Sequence, residues 1–365
     1  MKRLDKFLIA YRNNQTAFRK VRFEFPEDCQ NITAGYYTVG DRNEAFCFVG
    51  YPKTEMPKNG YPAVVLVHGG EGYAFFEWVK HWTERGYVAI APDFSGHCAK
   101  DANERLLENP KGGPSGYGSI EDYTSACPWL FFCVASVLAA MDVLSADERV
   151  DADKLVAQGI SWGGFVLLTA ASREKRLKAI SVVYSSAFIS DCEWGRARGL
   201  GSFSREELAE YNENIDPQSY LWEIEMPVLF TAGMDDGAFT VQNRNKTAEN
   251  IFSQKLFSYR RSFIHGHVEG WSQEETTEFF ERILAKKALP LLALADGETI
   301  VENINATELF IVYTKEAPER KDICEWEEIA ASKAQDALGK AKAYFLYGKT
   351  ENGLQFSSKV YCKKS

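Results

Sequence analysis

The chain has 365 residues, a length that predicts either one large domain with a smaller one or two to three ordinary domains. Its composition, 45% hydrophobic and 25% charged, is typical of a soluble globular protein. Its formal net charge of −9 disfavours contact with nucleic-acid phosphates or anionic lipid, so we predict no nucleic-acid and no membrane partner. No apolar run approaches the ~20 residues that a membrane-spanning helix needs.

The N-terminus, "MKRLDKFLIAYRNNQ", is basic, but its apolar stretch is short and no small-residue cleavage site follows. We therefore expect no export signal and a cytoplasmic location. The eight cysteines include no C-x-x-C pair, which argues against a zinc site and favours reduced thiols. The sequence predicts neither a metal nor an organic cofactor.

Residues 61–186 alternate short apolar strands with helical segments. Strands are predicted at "PAVVLV", "YVAIAPD", "KLVAQGI" and "KAISVVYSS". Helices are predicted at "FFEWVKHWTERG", at "WGGFVLLTAAS" and over 121–147, where Pro128 marks either the start or a kink. The segment 94–118 is rich in Gly, Pro and Asn and is predicted to be a loop. Such alternation indicates a parallel sheet covered on both faces.

The alternation is interrupted and then resumes. The segment from Ala187 to Trp222 is polar, helix-prone and studded with aromatic residues, which predicts a helical lid insertion over the rim of the sheet. Strands at "MPVLFTAG" and "KLFSYRRSFI" and helices at "NRNKTAENIFSQ" and "SQEETTEFFERILAKK" follow. Beyond residue 288, strand-like alternation with Asn-Gly turns predicts a small β-domain of sandwich type. The predicted domains are therefore 1–288 and 289–365.

The motif Gly159-Ile-Ser161-Trp-Gly163 fits G-x-S-x-G and lies between a predicted strand and a predicted helix. A serine on so sharp a turn is thrust out of the sheet, and the glycines permit the turn and the close approach of neighbouring strands. The following helix N-terminus favours negative charge near the serine oxygen. A tight turn with an incidental serine is the alternative, but the strand–helix setting favours a nucleophile.

The segment His68-Gly69-Gly70 directly follows the strand "AVVLV". Glycines at a strand end let backbone N–H groups point at a developing oxyanion, and the second donor is the N–H of the residue after the nucleophile. The sequence therefore predicts an oxyanion hole at Gly70 and Trp162. His68 is predicted to shape this turn rather than to act as a base.

An acid and a base are needed beside the serine, and each has two candidates. Asp235 and Asp236 lie just past a predicted strand, although taken alone a solvated acidic turn is the simpler interpretation. The segment "RSFIHGHVEGW" holds two of the five histidines, His265 and His267, separated by Gly266. A metal site on these two histidines is disfavoured because no third ligand has motif spacing.

Three segments carry a family resemblance: "LVHGGEGYAFFEWVKHWTERGYVAIAPDFSG", "VDADKLVAQGISWGG" and "MPVLFTAGMDDGAF". They resemble the α/β-hydrolase superfamily and, within it, acetyl-xylan-esterase-like and dienelactone-hydrolase-like serine esterases, over roughly residues 60 to 285. The resemblance implies an α/β-hydrolase fold, with a mostly parallel sheet and helices on both faces. It also implies hydrolysis of carboxylic esters.

The resemblance also orders the catalytic residues as serine, aspartate and histidine along the chain. Its G-x-x-D turn favours Asp236 over Asp235, and its histidine loop favours His267 over His265. The implied set is therefore Ser161, Asp236 and His267.

We expect the substrate to be a short-chain, acetyl-type ester of a small molecule or oligosaccharide. Aromatic side chains either wall the acyl pocket or pack the insertion onto the body: Trp162, Phe188, Trp194 and Trp222. Two other functions stay open, a serine peptidase of the prolyl-oligopeptidase kind and an inactive hydrolase fold that binds carbohydrate or another protein. A homo-oligomer is also open.

Overall fold

The computed structural model describes residues 1–12, 16–40, 43–100, 106–108, 128–295, 299–302, 305–318, 323–333 and 337–363. Within these ranges, no helix is both long enough and apolar enough to cross a membrane. The predicted loop 94–118 and the predicted start of the helix at 121 lie mostly outside the described residues.

A large mixed sheet of fourteen strands organises the described chain. Its strand order is β1-β2-β3-β5-β4-β8-β9-β10-β11-β17-β16-β14-β15, with β18 paired to β16, while β6 with β7 and β12 with β13 form two small sheets. The described strands, in chain order, are β1 (Phe18–Val21), β2 (Ile32–Val39), β3 (Asn43–Gly50), β4 (Tyr61–Val67), β5 (Val88–Pro92), β6 (His97–Lys100), β7 (Leu106–Glu108), β8 (Val150–Ile160), β9 (Leu177–Val183), β10 (Val228–Gly233), β11 (Lys255–Arg260), β12 (Leu292–Ala295), β13 (Thr299–Glu302), β14 (Ala306–Thr314), β15 (Glu327–Ala330), β16 (Ala343–Thr350), β17 (Gln355–Ser357) and β18 (Tyr361–Cys362).

The middle of the sheet is parallel. Strands β5, β4, β8, β9, β10 and β11 pair parallel in that order, and Val64 on β4 lies between Ala89 on β5 and Val156 on β8. These strands are almost continuously apolar and buried because helices cover both faces. The carboxyl ends of β4, β8, β10 and β11 therefore meet at one edge, where an open α/β sheet places its ligand site.

Helices flank this sheet on both sides and cap its rim. They are α1 (Arg3–Arg12), α2 (Phe76–Thr83), α3 (Trp129–Ser145), α4 (Trp162–Ala171), α5 (Glu193–Ala197), α6 (Arg205–Asn214), α7 (Val241–Glu249), α8 (His267–Trp271) and α9 (Glu274–Leu284). The α3 helix begins directly after Pro128, whose fixed φ suits a helix start. Every residue of α4 is buried, as expected for a helix that is apolar on all sides.

The insertion between β9 and β10 is helical. It contains α5 and α6, and α6 begins with a capping box between Ser204 and Glu207. The Asp216 carboxylate accepts the backbone N–H groups of Phe188 at 3.0 Å and Ile189 at 3.1 Å. This buried carboxylate thereby joins the two ends of the insertion.

The C-terminal strands continue the main sheet. Strand β17 pairs antiparallel with β11 at Phe257 and Ser357, and the Ser258 hydroxyl donates to the Gln355 carbonyl at 2.7 Å. This arrangement differs from the separate sandwich expected at 289–365. Without β17, strand β11 would be an exposed edge with unpaired backbone groups, and the added strands cover that edge. Whether 289–365 folds as its own unit stays a prediction.

Candidate active site

Ser161 occupies the turn between β8 and α4. Its φ of 56° and ψ of −122° are rare for a residue with a side chain, and the strain is held by a hydrogen bond from its N–H to the Val183 carbonyl at 2.9 Å. A Cβ on Gly159 would lie 2.6 Å from the Gly163 carbonyl oxygen, and one on Gly163 would overlap the Val67 carbonyl. The G-x-S-x-G glycines are therefore required by close backbone approach.

The imidazole of His265 lies between a serine and an aspartate. Its Nε2 is 2.8 Å from Ser161 Oγ, and its Nδ1 is 3.1 Å from Asp236 Oδ2. Because an ionised carboxylate only accepts, Nδ1 carries the proton and donates to Asp236. A neutral ring then has Nε2 as an acceptor, which receives the Ser161 hydroxyl proton. The three side chains form one continuous chain of hydrogen bonds.

The placement of His267 differs from the sequence-based prediction that put this residue beside Ser161. Its Nε2 instead accepts the Gly69 N–H at 3.2 Å. The reason is loop register, since β11 ends at Arg260 and α8 begins at His267. His265 therefore lies on the loop between β11 and α8, and His267 is the first residue of α8.

His267 is in the neutral form that an acceptor requires. Burial, together with the nearby imidazoles of His68 and His265, lowers the pKa of His267 to about 4. The ring packs on Phe75 with centroids 4.9 Å apart. A Cβ on Gly72 would lie 2.8 Å from Nε2, so the glycine-rich turn and His267 fit closely together.

Asp236 is the carboxylate that contacts the histidine. Its Oδ1 accepts the N–H groups of Ala238 at 2.9 Å and Phe239 at 3.2 Å. Burial raises the pKa of Asp236, but the His265 hydrogen bond and charge, Arg244 and the Phe239 amide together leave it lowered. Asp236 is therefore held as a carboxylate. Asp235 points elsewhere and accepts hydrogen bonds from the Ser262 hydroxyl and the Phe263 amide.

His68 and Asp93 hold the neighbouring loops. His68 is buried, and its Nε2 accepts the Phe94 N–H at 3.0 Å. The Asp93 carboxylate accepts the N–H groups of Ser95 and Gly96, each at 3.0 Å. Both residues therefore shape turns beside the site.

A cavity of about 590 Å³ opens above Ser161. Gly70 and Trp162, the two predicted oxyanion donors, both line this cavity. The ring of Trp194, from the insertion, lies 5.8 Å from that of Trp162 and forms part of the wall. Phe188 is buried at the start of the insertion and Trp222 is 62% exposed, and neither of these aromatics lines the cavity.

Two residues near the site have no motif in the sequence. Tyr184 stacks on His265 with centroids 4.3 Å apart, and its hydroxyl donates to the Gly266 carbonyl. Arg244 lies on α7, and its Nη1 is 3.9 Å from Asp236 Oδ2. Their roles depend on contacts across the sheet that no local pattern encodes. Among the described residues, no group of three or more His, Cys, Asp or Glu side chains is placed to hold a metal.

Two family profiles match the chain. Residues 62–198 match the α/β hydrolase fold, and residues 132–285 match the prolyl oligopeptidase family. The dipeptidyl-peptidase 5 of Porphyromonas gingivalis is 22% identical over 268 residues, which cover 61% of this chain and 36% of that protein. The chain spans between 21% and 36% of the length of the dipeptidyl-peptidases that it matches.

Solved structures of two esterases share the fold. Acetyl xylan esterase 1 from Thermoanaerobacterium sp. has a TM-score of 0.59 at 15% identity, over 77% of this chain and 92% of that one. The acetyl xylan esterase from Paenibacillus sp. R4 has a TM-score of 0.59 at 17% identity, over 76% of this chain and 92% of that one. Together with the sheet order and the Ser161 turn, these matches show that the chain has the α/β-hydrolase fold.

Proposed function

We propose that this protein is a serine hydrolase that cleaves a short-chain carboxylic ester of a small molecule or oligosaccharide through an acyl-Ser161 intermediate. The observation that carries the proposal is the hydrogen-bonded chain Ser161–His265–Asp236 at the mouth of a cavity. In this assignment His265 is the base, Asp236 fixes its tautomer, and the substrate ester sits between Ser161 and the glycine-rich turn.

In acylation, Ser161 Oγ forms a bond to the ester carbonyl carbon while its proton passes to Nε2 of His265. The carbon–oxygen bond to the alcohol then breaks, and the alcohol leaves with the proton from His265. In deacylation, a water oxygen attacks the acyl carbon and gives its proton to His265. The acid departs and Ser161 recovers its proton, so the enzyme returns to its starting state.

The oxyanion that forms in both steps needs two N–H donors. Trp162 supplies one as the first residue of α4, and Gly70 supplies the other from the turn after β4. The Gly69 N–H is already taken by His267, so this amide is directed away from the substrate. We assign His267 to the turn as a neutral brace that holds Gly69 while Gly70 faces the cavity.

The ester assignment has two supports. Solved structures of two acetyl xylan esterases share the fold, each with a TM-score of 0.59. Trp162 and Trp194 stand at the wall beside Ser161, which suits a small acyl group and the apolar face of a sugar ring.

A serine peptidase is the second candidate. It is favoured by the match of residues 132–285 to the prolyl oligopeptidase family and by the dipeptidyl-peptidase relatives. Both candidates use the same serine, base and acid, so the site geometry does not separate them. The discriminating feature is the leaving group, an alcohol in one case and an amine in the other.

A substrate panel with purified protein tests the proposal. We expect kcat/KM to be highest for p-nitrophenyl acetate, to fall for longer acyl chains, and to be far lower for dipeptide anilides. Ser161→Ala should abolish all turnover, whereas Ser202→Ala, at an exposed serine of the insertion, should not. Faster cleavage of peptide anilides than of acetate esters would replace the esterase by the peptidase. Full activity of Ser161→Ala would contradict both the esterase and the peptidase assignment.

A further inference from the structure

Arg244 is a buried charge for which the described part of the chain offers no hydrogen-bond acceptor. The residue is 1% exposed, and none of its three side-chain nitrogens has a hydrogen-bond acceptor among the described residues. A buried guanidinium loses its hydration, which is costly unless other groups compensate it. Packing alone therefore does not explain why α7 places a charged arginine at this buried position.

The nearest opposite charge belongs to the proposed catalytic acid. Arg244 Nη1 lies 3.9 Å from Asp236 Oδ2, and each of the two side chains is 2% exposed. The same oxygen atom accepts the hydrogen bond from His265 Nδ1. Because both side chains are buried, solvent screens them little, and the charges at Arg244 and Asp236 interact strongly across this distance.

We propose that Arg244 is a positioning residue that acts on the reaction through Asp236. The proposal rests on the proposed function. The guanidinium keeps Asp236 ionised, and it also offsets the carboxylate charge that His265 faces. A bare carboxylate would hold a proton on the imidazole more strongly than a carboxylate paired with a cation does. Arg244 therefore weakens the attraction between the Asp236 carboxylate and a proton on His265.

The two tyrosines and the second histidine around this pair are neutral at neutral pH. Burial raises the pKa of Tyr259, whose ring lies 5.5 Å from the guanidinium, to about 12 and raises that of Tyr184 still further. His267 is neutral because its pKa is lowered to about 4. Asp235 also faces Arg244, and its carboxylate is bonded to Ser262 and to the Phe263 amide.

The first test compares pH profiles of kcat/KM for p-nitrophenyl acetate. In Arg244→Met the acid limb should move to higher pH, so that activity falls on the order of 3- to 10-fold at pH 6 but changes little at pH 8. Arg244→Lys, which keeps a charge, should restore most of the profile. Asn243→Ala removes the buried hydrogen bond to the Phe188 carbonyl from the same helix but no charge. This control variant should have a lower Tm, but the acid limb of its pH profile should stay at the same pH.

A thermal-stability cycle tests the same coupling without any activity. Asp236→Asn leaves Arg244 uncompensated and should lower Tm markedly, and adding Arg244→Met to that variant should raise Tm again. The comparison of Asp236→Asn with the double variant remains informative even if Arg244→Met alone does not fold. An unmoved acid limb in folded Arg244→Met, or a double variant no more stable than Asp236→Asn, would overturn the proposal. Loss of turnover in every variant with the Tm cycle intact would contradict only the esterase assignment.

Discussion

The Nε2 atom of His265 lies 2.8 Å from the Oγ of Ser161, although the two residues are 104 positions apart in the chain. The contact exists because the turn after β8 and the loop after β11 lie at the same edge of the sheet. His267, two residues further on, contacts Gly69 instead. The two histidines therefore have different partners, and we predict different consequences when each is removed.

His265→Ala should lower kcat by at least about a thousandfold with folding intact, because Ser161 loses its proton acceptor. His267→Ala removes only the brace on Gly69, so we expect a loss of about 10-fold, the smaller effect of a displaced oxyanion donor. Steady-state kinetics on an acetate ester, with circular dichroism to verify folding, measures both. A larger loss of kcat in His267→Ala than in His265→Ala would mean that His267 is the base.

The two adjacent aspartates provide a matched pair. Asp236→Asn keeps the size of the side chain but removes the charge that fixes the His265 tautomer, and kcat should fall by up to about 10⁴-fold. Asp235→Asn alters only the contacts to Ser262 and Phe263 and should cost far less. Equal losses of kcat in the two variants, each measured at a temperature where the variant is folded, would mean that Asp236 has no special role.

Gly163 and Gly86 differ in what surrounds them. A Cβ on Gly163 would overlap the Val67 carbonyl of the neighbouring strand, whereas one on Gly86 would meet nothing within 4 Å. Gly163→Ala should therefore lower Tm strongly and reduce activity, because the Ser161 turn must shift. Gly86→Ala, at φ +84°, should cost only the left-handed strain of about 1–2 kcal/mol in the free energy of unfolding. Thermal melts of both variants measure the difference, and similar Tm values would contradict this packing argument.

Stability should fall as the pH is lowered from about 6.5 towards 4. Burial lowers the pKa of both His81 and His267 to about 4, so between these pH values the unfolded state binds more protons than the folded state. Each histidine accounts for up to roughly 3 kcal/mol of the loss. His81→Gln should reduce the fall in denaturation free energy between pH 7 and pH 4, and an unchanged fall would exclude His81 as a contributor.

Much of the central fold could be predicted from the sequence, because the apolar strands and the helices between them are continuous local patterns. The same holds for Ser161, whose motif depends on glycines at neighbouring positions. The sequence-based choice of His267 over His265 differs from the arrangement in the structure, because that choice depends on β11 ending at Arg260 and on α8 starting at His267. A shift of one or two residues in a loop is not marked by any periodicity.

The pairing of the C-terminal strands and the burial of Arg244 could not be predicted from the sequence either. Alternating residues after 305 predict strands, but not that β17 would pair with β11 and extend the sheet. Arg244 lies in a segment that reads as an ordinary polar helix, and its burial follows only from the position of α7 against Asp236 and Tyr259. Both features arise from contacts between segments distant in sequence.

The most direct test of the central claim is the site of covalent labelling by a fluorophosphonate probe, mapped by peptide mass spectrometry. We expect one label on Ser161 in the folded protein. Labelling should be lost in Ser161→Ala, strongly slowed in His265→Ala and retained in His267→Ala. Absence of labelling in folded wild-type protein, or a label on another serine, would contradict the claim that Ser161 is the nucleophile activated by His265.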